Sequence, residues 1–598
     1  MGTSVVLAGE IGAPYLKLAS LRWMTLDRVD TQLWTNQGFY TVDKPQSGSM
    51  LVRRDGTFGR SIPDGKQLPA LSADEMAYLL DKGKDPVLIV GVGGGREVRA
   101  ALRQGHHDVR GIEEDVTFAR NIMRGSQREW SDGLYDKPEV DVSVGGARNY
   151  VRHNKATFQR IFVGYYDTQA ASPSGSLAAI PNAVFTTDFV QDTLAALVPE
   201  GTLTIMRPDA EVDRVIALVA HALRAQGSRA PGAHMFGCSR EKLSTVLVKR
   251  TPLQSDELST LRTHCRRHRF AEILSPDAVK DEARRALMSG LNPAGLPIGQ
   301  TSDLRPPTED RPFWFHAVPQ GRVVATLRDV RGMVERHRTL LVLAAGAAMA
   351  AIVGLLALFV SLALPSRFWG YQSRIPVTRS SMTLGLIAAS IVLFGHAFVG
   401  RMTPIVGRPD AAVLLFPLAF LLAIGLGAGF ARRFDEDDLR AGLQRWLLAT
   451  TFFFAPLMMG LDAILSVVVD LPLLARIGIP TLIIALVGAG LGAGLGLAVR
   501  TASTWGVRAS ANAIAQAGVM AAIAMLLGTL LSMTWGYAAT LLAGAAAMVA
   551  AIMFAASARV DVPHAPAVFE PLSAGDTASD DEPVTSDDHE SSSRAASV

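Results

Sequence analysis

Cysteine is nearly absent: the 598-residue chain has two, Cys238 and Cys265. Two thiols exclude a disulfide framework and fit a reducing compartment. Charge of one sign is also lacking, since 58 Lys and Arg face 55 Asp and Glu for a net +3, and nothing in that balance supports a nucleic-acid partner. No long apolar run follows a basic N-terminal start, so no cleavable signal peptide is expected and the large N-terminal portion is expected to stay in the cytosol. Metal-ligand spacing is missing too. His264, Cys265 and His268 cluster in THCRRHRF, but no CxxC or HExxH accompanies them, so a solvated basic helix face is expected and no metal is assigned.

Long apolar runs are missing from residues 1 to 338 and dominate 340 to 557. A soluble half therefore precedes a membrane half. Seven apolar segments lie near 340–364, 381–399, 411–430, 446–469, 478–499, 511–533 and 536–557, each able to cross a hydrocarbon core of about 30 Å at about 1.5 Å per residue. Trp535-Gly536 leaves almost no loop between the last two, so six to eight spans fit. Glycines at 488, 490, 492, 494 and 496, and at 425, 427 and 429, predict close helix packing. His396 and Asp462 fall at membrane depth, where ionisable groups suggest a pathway. The arginine count of the loops does not favour an inward soluble domain. It is placed in the cytoplasm because its expected ligand is cytosolic.

In the soluble half, LWTNQGFYTV and SMLVRRDGTFGRSI read as β-structure around an Asp55-Gly56 hairpin turn. Ser72 and Glu75 in SADEMAYLLDKG fit a capping box at the start of a helix. DPVLIVGVGGGREVRAALRQGHHDVRGIE then gives a buried strand (Val87 to Val90), a glycine turn (Gly91, Gly93, Gly94, Gly95), a helix (Arg96 to Arg103) and a strand ending on Glu113. Glycines let a ligand approach the backbone at a helix N-terminus, and a carboxylate about twenty residues on can take a ribose diol. The phase argues against NAD, because the third glycine position from Gly91 is Arg96.

Further strands are expected at Val109 to Glu113, Val140 to Val144, Arg160 to Val163, Thr202 to Met206 and Ser244 to Val248. Helices are expected near Val116 to Met123, Phe189 to Leu197 and Glu211 to Gln226. The alternation predicts an α/β doubly wound, mostly parallel sheet with ligands at the carboxyl ends of its strands. Past 252 the pattern is less regular. Phe313, Trp314 and Phe315 in PPTEDRPFWFHAVP fit either the headgroup level or the soluble core, and Arg322 to Arg338 reads as a basic amphipathic helix.

The ordered motifs in the soluble half resemble the spermidine synthase family of polyamine aminopropyltransferases, built on the class I S-adenosylmethionine methyltransferase fold. LVRRDGTFGRSI is similar to that family's Asp-Gly hairpin, SADEMAYLL to DEFxYHE and VLIVGVGGG to VLIIGGGDGG. VRGIEED resembles the VEID strand end, VSVGGARNYV the GDGxxFL stretch, IFVGYYDT the VIVDSSDP stretch and AVFTTDFV the LYTxEFY motif. PTEDRPFWFH followed by several spans resembles the membrane-fused branch.

The resemblance implies S-adenosylmethionine or decarboxylated S-adenosylmethionine as cofactor, bound by Gly91, Gly93, Gly94, Gly95, Glu113, Gly146 and Ala147. It implies Asp167 and Tyr78 at the catalytic site. It also marks departures: the family's catalytic Asp corresponds to Gly164, the Asp of GGGDG to Gly94, the acid of GDG to Gly146, and the His-Glu of DEFxYHE to Leu79-Leu80. A cationic polyamine needs carboxylates to hold and deprotonate its amine, so ordinary spermidine synthesis is not expected. The readings carried forward are a divergent aminopropyl or methyl transferase and a non-catalytic nucleoside or polyamine sensor regulating a membrane transport bundle.

The expected architecture is an N-terminal β-hairpin element (1–70), a Rossmann-like methyltransferase-type domain (71–250), an accessory and juxtamembrane region (251–338), an all-α polytopic bundle (339–558) and a disordered acidic tail (559–598). Expected partners are the lipid bilayer of a bacterial inner or plasma membrane and a small amine or other acceptor. A homo-oligomer is left open.

Overall fold

In the computed structural model of the chain, the described residues are 20–21, 24–25, 28–35, 38–66, 73–80, 86–164, 179–279, 281–290, 302–363, 375–407, 409–504 and 507–556. Ser72, Asp167 and the expected acidic tail lie outside them. After two short paired strands, β1 (Ser20–Leu21) and β2 (Met24–Thr25), an antiparallel sheet runs β3 (Val29–Thr35), β4 (Gly38–Asp43), β5 (Ser49–Arg54) and β6 (Thr57–Pro63). Asp55 and Gly56 turn β5 into β6 with φ of 51° and 74°, the left-handed geometry of a tight hairpin.

The second sheet contains β7 (Val87–Val90), β8 (Val109–Glu113), β9 (Val140–Val144), β10 (Phe158–Val163), β11 (Leu197–Pro208), β12 (Met235–Arg240), β13 (Leu243–Lys249) and β14 (Ala271–Leu274). Its order is β14-β12-β13-β11-β10-β7-β8-β9. The five strands from β11 to β9 are parallel, and β13 joins them antiparallel. Chain order thus reverses between β7 and β10, where doubly wound sheets place their ligands. All four residues of β7 are buried, as a strand covered on both faces requires. Around the sheet lie α1 (Arg96–Arg103), α2 (Ala147–His153), α3 (Thr187–Ala196), α4 (Val212–Ala225), α5 (Ser255–Arg267) and α6 (Glu282–Met288). The helix expected near Val116 to Met123 is wound as a π-type helix over Phe118–Ser126.

Two local expectations need correction. Glu75 does not complete a capping box: buried in a 3₁₀ turn, Ala73–Tyr78, it pairs with Arg103 and accepts from Gln104 Nε2 at 3.0 Å. The basic juxtamembrane helix breaks into α7 (Val323–Arg328) and α8 (Val330–Arg336), because Asp329 turns out of the helix and caps the second piece through Gly332 N at 2.9 Å.

Among the described residues, seven helices are long and apolar enough to cross a membrane: α9 (Arg338–Ala363), α10 (Ile375–Val406), α11 (Pro409–Phe430), α12 (Leu439–Val468), α13 (Leu473–Ser503), α14 (Val507–Trp535) and α15 (Tyr537–Ala556). Gly536, at φ 99°, separates the last two. The central spans are α10 and α13. On α13, Gly488, Gly492 and Gly496 lie against the backbone of α11, where an added Cβ at Gly488 would come within 2.9 Å of Phe420 O and one at Gly496 within 2.9 Å of Ala428 Cα. Gly490 faces Phe454 of α12 instead. The expected glycine packing is therefore an α11–α13 seam spaced every four residues, while Gly425 and Gly429 meet nothing within 4 Å.

The segment between the halves is a buried clasp. Trp314 and Phe315 join the soluble core, whereas Phe313 packs at a tilt against Tyr537 of the bundle, ring centroids 5.7 Å apart. Trp314 Nε1 donates to Glu211 at 2.7 Å, and Arg207 binds the same carboxylate oxygen at 2.7 Å. Asp303 accepts from Arg305 and Arg311 at 2.7 and 2.8 Å. Asp310 ties the clasp down by accepting from Tyr537 N, Ala538 N and Arg401, and Arg401 also pairs with Asp462. That pairing gives the membrane-depth Asp462 a structural partner.

Burial would raise the Asp303 carboxyl, but hydrogen bonding to Arg305 and the charge of Arg311 outweigh it and hold it at about 2. A carboxylate lowered on folding stabilises the fold above its unfolded value near 4, and that contribution is lost as pH falls from about 4 through 2. Asp303→Asn, which also strands the buried Arg311, is expected to cost about 2–4 kcal/mol at pH 7. Thermal unfolding of the full chain in detergent should show this gap narrowing as pH drops from 4 toward 2.

Candidate functional site

The glycine turn sits at the carboxyl end of β7, at the strand-order switch. Gly91, Gly93 and Gly95 take φ of 75°, 52° and 80°, which disfavours side chains, and the chain then enters α1 directly. Gly93 N donates to Glu113 Oε2 at 2.9 Å, and Asp115 N donates to Oε1 at 3.2 Å. The turn and the strand-end carboxylate are thus hydrogen-bonded to each other.

A third group completes it. Arg60 Nη1, from β6 of the N-terminal sheet, lies 2.9 Å from Glu113 Oε2, and both side chains are buried. Its guanidinium stacks on Phe118 at 4.5 Å. Burial opposes the charge on Arg60, yet Glu113 raises its pKa well above the ordinary arginine range. Glu113 is itself only 1% exposed, so the carboxylate that would take a ribose is closed off by the chain's own cation.

The same strand covers the turn. An added Cβ at Gly94 would overlap Ser61 O and approach Ile62 Cα to 2.9 Å, and one at Gly93 would meet Arg60 Cδ at 3.1 Å. Tyr135 donates its hydroxyl to Gly93 O at 2.7 Å, and burial raises its pKa well above the ordinary range. A carboxylate at position 94 would not fit this packing. The departure at Gly94 therefore goes with the close seat of β6.

The other expected site residues separate. Gly146 and Ala147 start α2 at the end of β9, but Gly146 N donates at 2.8 Å to Gly407 O at the end of α10, and Ala147 is buried in the core. Asn149 Nδ2 donates to Pro404 O and Ile405 O at 3.3 and 3.2 Å, so this corner is joined to the bundle. Tyr78 does not reach the turn. Its ring lies 5.1 Å from His106 and 5.7 Å from the Arg160 guanidinium, at the amino ends of the parallel strands, where Arg160 pairs in register with Val87. Its expected place in the catalytic site is thus corrected to the opposite end of the sheet. Asp167, Tyr165 and Thr168 are outside the described residues.

Two groups were missed in the sequence. Arg60 shares a strand face with Ile62, which is fully buried, so the alternation of β6 carries a charge where an apolar residue is due. Glu97, 8% exposed in the first turn of α1, places Oε1 3.3 Å from where a Cβ on Gly164 would stand. A carboxylate from another element thus borders Gly164.

Gly94→Ala should destabilise the full chain by about 1–3 kcal/mol, because the backbone of β6 must move. Its thermal midpoint in detergent checks this, and an unchanged midpoint would mean that β6 is not held on the turn.

No family model matches the chain. It is 28% identical over 169 residues to the polyamine aminopropyltransferase of Aeropyrum pernix, a match covering 26% of this chain and 52% of that protein. The chain therefore spans about half the length of this curated relative. Similar solved structures include the spermidine synthase of Thermotoga maritima, at 18% identity, 47% of this chain, 95% of that chain and TM-score 0.30. A spermidine synthase in complex with the transition-state analogue AdoDATO matches at 17% identity, 47% of this chain, 95% of that chain and TM-score 0.30. A probable spermidine synthase from Corynebacterium glutamicum matches at 14% identity, 39% of this chain, 84% of that chain and TM-score 0.31.

Proposed function

We propose, from the homology of the N-terminal domain to the spermidine synthases, that this chain is a multi-pass protein of a bacterial inner or plasma membrane whose cytoplasmic domain is a divergent group transferase. Its donor is S-adenosylmethionine or the decarboxylated form, and it transfers a methyl or aminopropyl group to a small amine or other acceptor. The observation that carries this reading is the joining of the glycine turn to Glu113 through Gly93 N at the strand-order switch. The donor's reacting carbon is activated by its sulfonium, so methyl transfer needs mainly a shaped pocket, and the replacement of carboxylates at Gly94 and Gly164 weighs less against it than against polyamine chemistry.

In this chain's own terms, Glu113 would hold the ribose and the turn would admit the donor's backbone-facing edge. Arg60 must then release Glu113, since one buried carboxylate oxygen cannot serve both partners in full. Asp167 remains the candidate to orient the acceptor amine. One further observation favours a second reading, a nucleoside-responsive regulator of a membrane transport bundle: Gly146, next to the expected nucleobase, is hydrogen-bonded to Gly407 of the bundle.

Isothermal titration of the full chain in detergent with S-adenosylmethionine, its decarboxylated form and methylthioadenosine tests both readings. Binding of at least one is expected, and Glu113→Gln should weaken it about tenfold or more through loss of a charge-assisted pair of hydrogen bonds. Absence of binding by all three would refute the nucleoside assignment. Binding without turnover across amine acceptors would move the protein to the regulatory reading.

A further inference from the structure

The corner at the end of β9 faces the bundle across a cavity of about 300 Å³. Gly145, Gly146 and His153 line the soluble side, and Gly407, Leu473 and Arg476 line the membrane side. The cavity takes in Gly146, beside the expected nucleobase, but not Glu113, the expected ribose partner.

Arg476 is the cation that lines this cavity. Its Nε and Nη1 are buried, and neither donates a hydrogen bond to any described residue. A guanidinium stays charged at every pH a protein tolerates. Leaving a buried donor unmatched is unfavourable, and more so for a charged group. The neighbouring cations are matched: Arg148 pairs with Asp192 and Glu309, and Arg152 with Asp470 at 2.7 Å. Those charges are paired, whereas the shielded Nε and Nη1 of the partly buried Arg476 are not.

The chemistry of the walls indicates what would satisfy it. No carboxylate lines the cavity among the described residues. His153 Nδ1 lies 2.7 Å from Asn149 O and is engaged within its own helix. The forked guanidinium matches the oxygens of a phosphate group. Beside it, at the start of the same span, Leu473 and Leu474 are 43% and 85% exposed, so the apolar surface that lipid would cover runs up to the cavity.

We propose that this junction cavity binds a phosphate-bearing anion through Arg476. The phosphate belongs either to an anionic lipid headgroup or to a free small anion, and either one would brace the contact between Gly146 and Gly407. The site's anion is held by Arg476 and not by Glu113 or the glycine turn.

The test uses the full chain in dodecyl maltoside, stripped of lipid, with its thermal midpoint followed against phosphatidylglycerol, phosphatidylcholine and inorganic phosphate. A rise with phosphatidylglycerol that is lost at least about tenfold in apparent affinity in Arg476→Gln is expected, with Arg331→Gln, an exposed change outside the cavity, responding like the wild type. A rise with inorganic phosphate alone, also lost in Arg476→Gln, assigns the site to a free anion and still supports it. Equal responses of wild type and Arg476→Gln to all three probes, or an equal loss in Arg331→Gln, would overturn the proposal. Arg476→Met without ligand should keep or gain stability, since no bond is removed; a lower ligand-free midpoint would make Arg476 a structural residue and overturn it too.

Discussion

The buried pair between Arg60 and Glu113 is the interaction on which the soluble domain's organisation turns. It joins the N-terminal sheet to the carboxyl end of the central sheet, and the two residues are 53 positions apart in the chain. A buried pair of this kind repays its desolvation only when further hydrogen bonds finish it. Here Gly93 N and Asp115 N do so on the carboxylate, and the Phe118 ring covers the guanidinium. The close seat of β6 on Gly94 follows from the same contact. A turn of the kind that admits ligands is thus held shut by the chain itself.

The second constraint is the union of the two halves. Soluble domain and bundle fall in one compact unit, Met1–Ser557, because the clasp from Asp303 to His316 buries aromatic side chains in both. Asp310 receives two backbone N–H groups from the start of α15, and Arg152 reaches Asp470 in the loop between α12 and α13. Asp303 and Arg311 pair within this clasp, while burial pushes the His316 imidazole down to about 3. At the β9 corner, Gly146 N and Asn149 Nδ2 donate directly to the carbonyls at the end of α10.

Much of this architecture was legible in the sequence where local patterning decides it. Val87 to Val90, Val109 to Glu113, Val140 to Val144 and the helix from Arg96 to Arg103 have the expected ends, since short apolar runs bounded by Pro and Gly leave few alternatives. The spans follow from length and hydropathy alone. What was not legible depends on contacts distant in sequence: the place of Tyr78 at the amino end of the sheet, the use of Glu75 as a partner for Arg103, and the splitting of Phe313 from Trp314 between two cores. A motif carries a residue's position in the chain, but not which end of a sheet its side chain meets. Arg60 was the one such residue that left a mark, as a charge out of phase with its strand.

The central claim is that the turn at Gly91 to Gly95 is a nucleoside site from which β6 must withdraw. Hydrogen exchange of the full chain in detergent, with and without methylthioadenosine, tests it most directly. The account predicts faster exchange across Thr57 to Pro63 together with slower exchange at Gly91 to Gly95 when the nucleoside is present. Unchanged exchange in both segments at saturating nucleoside would contradict it.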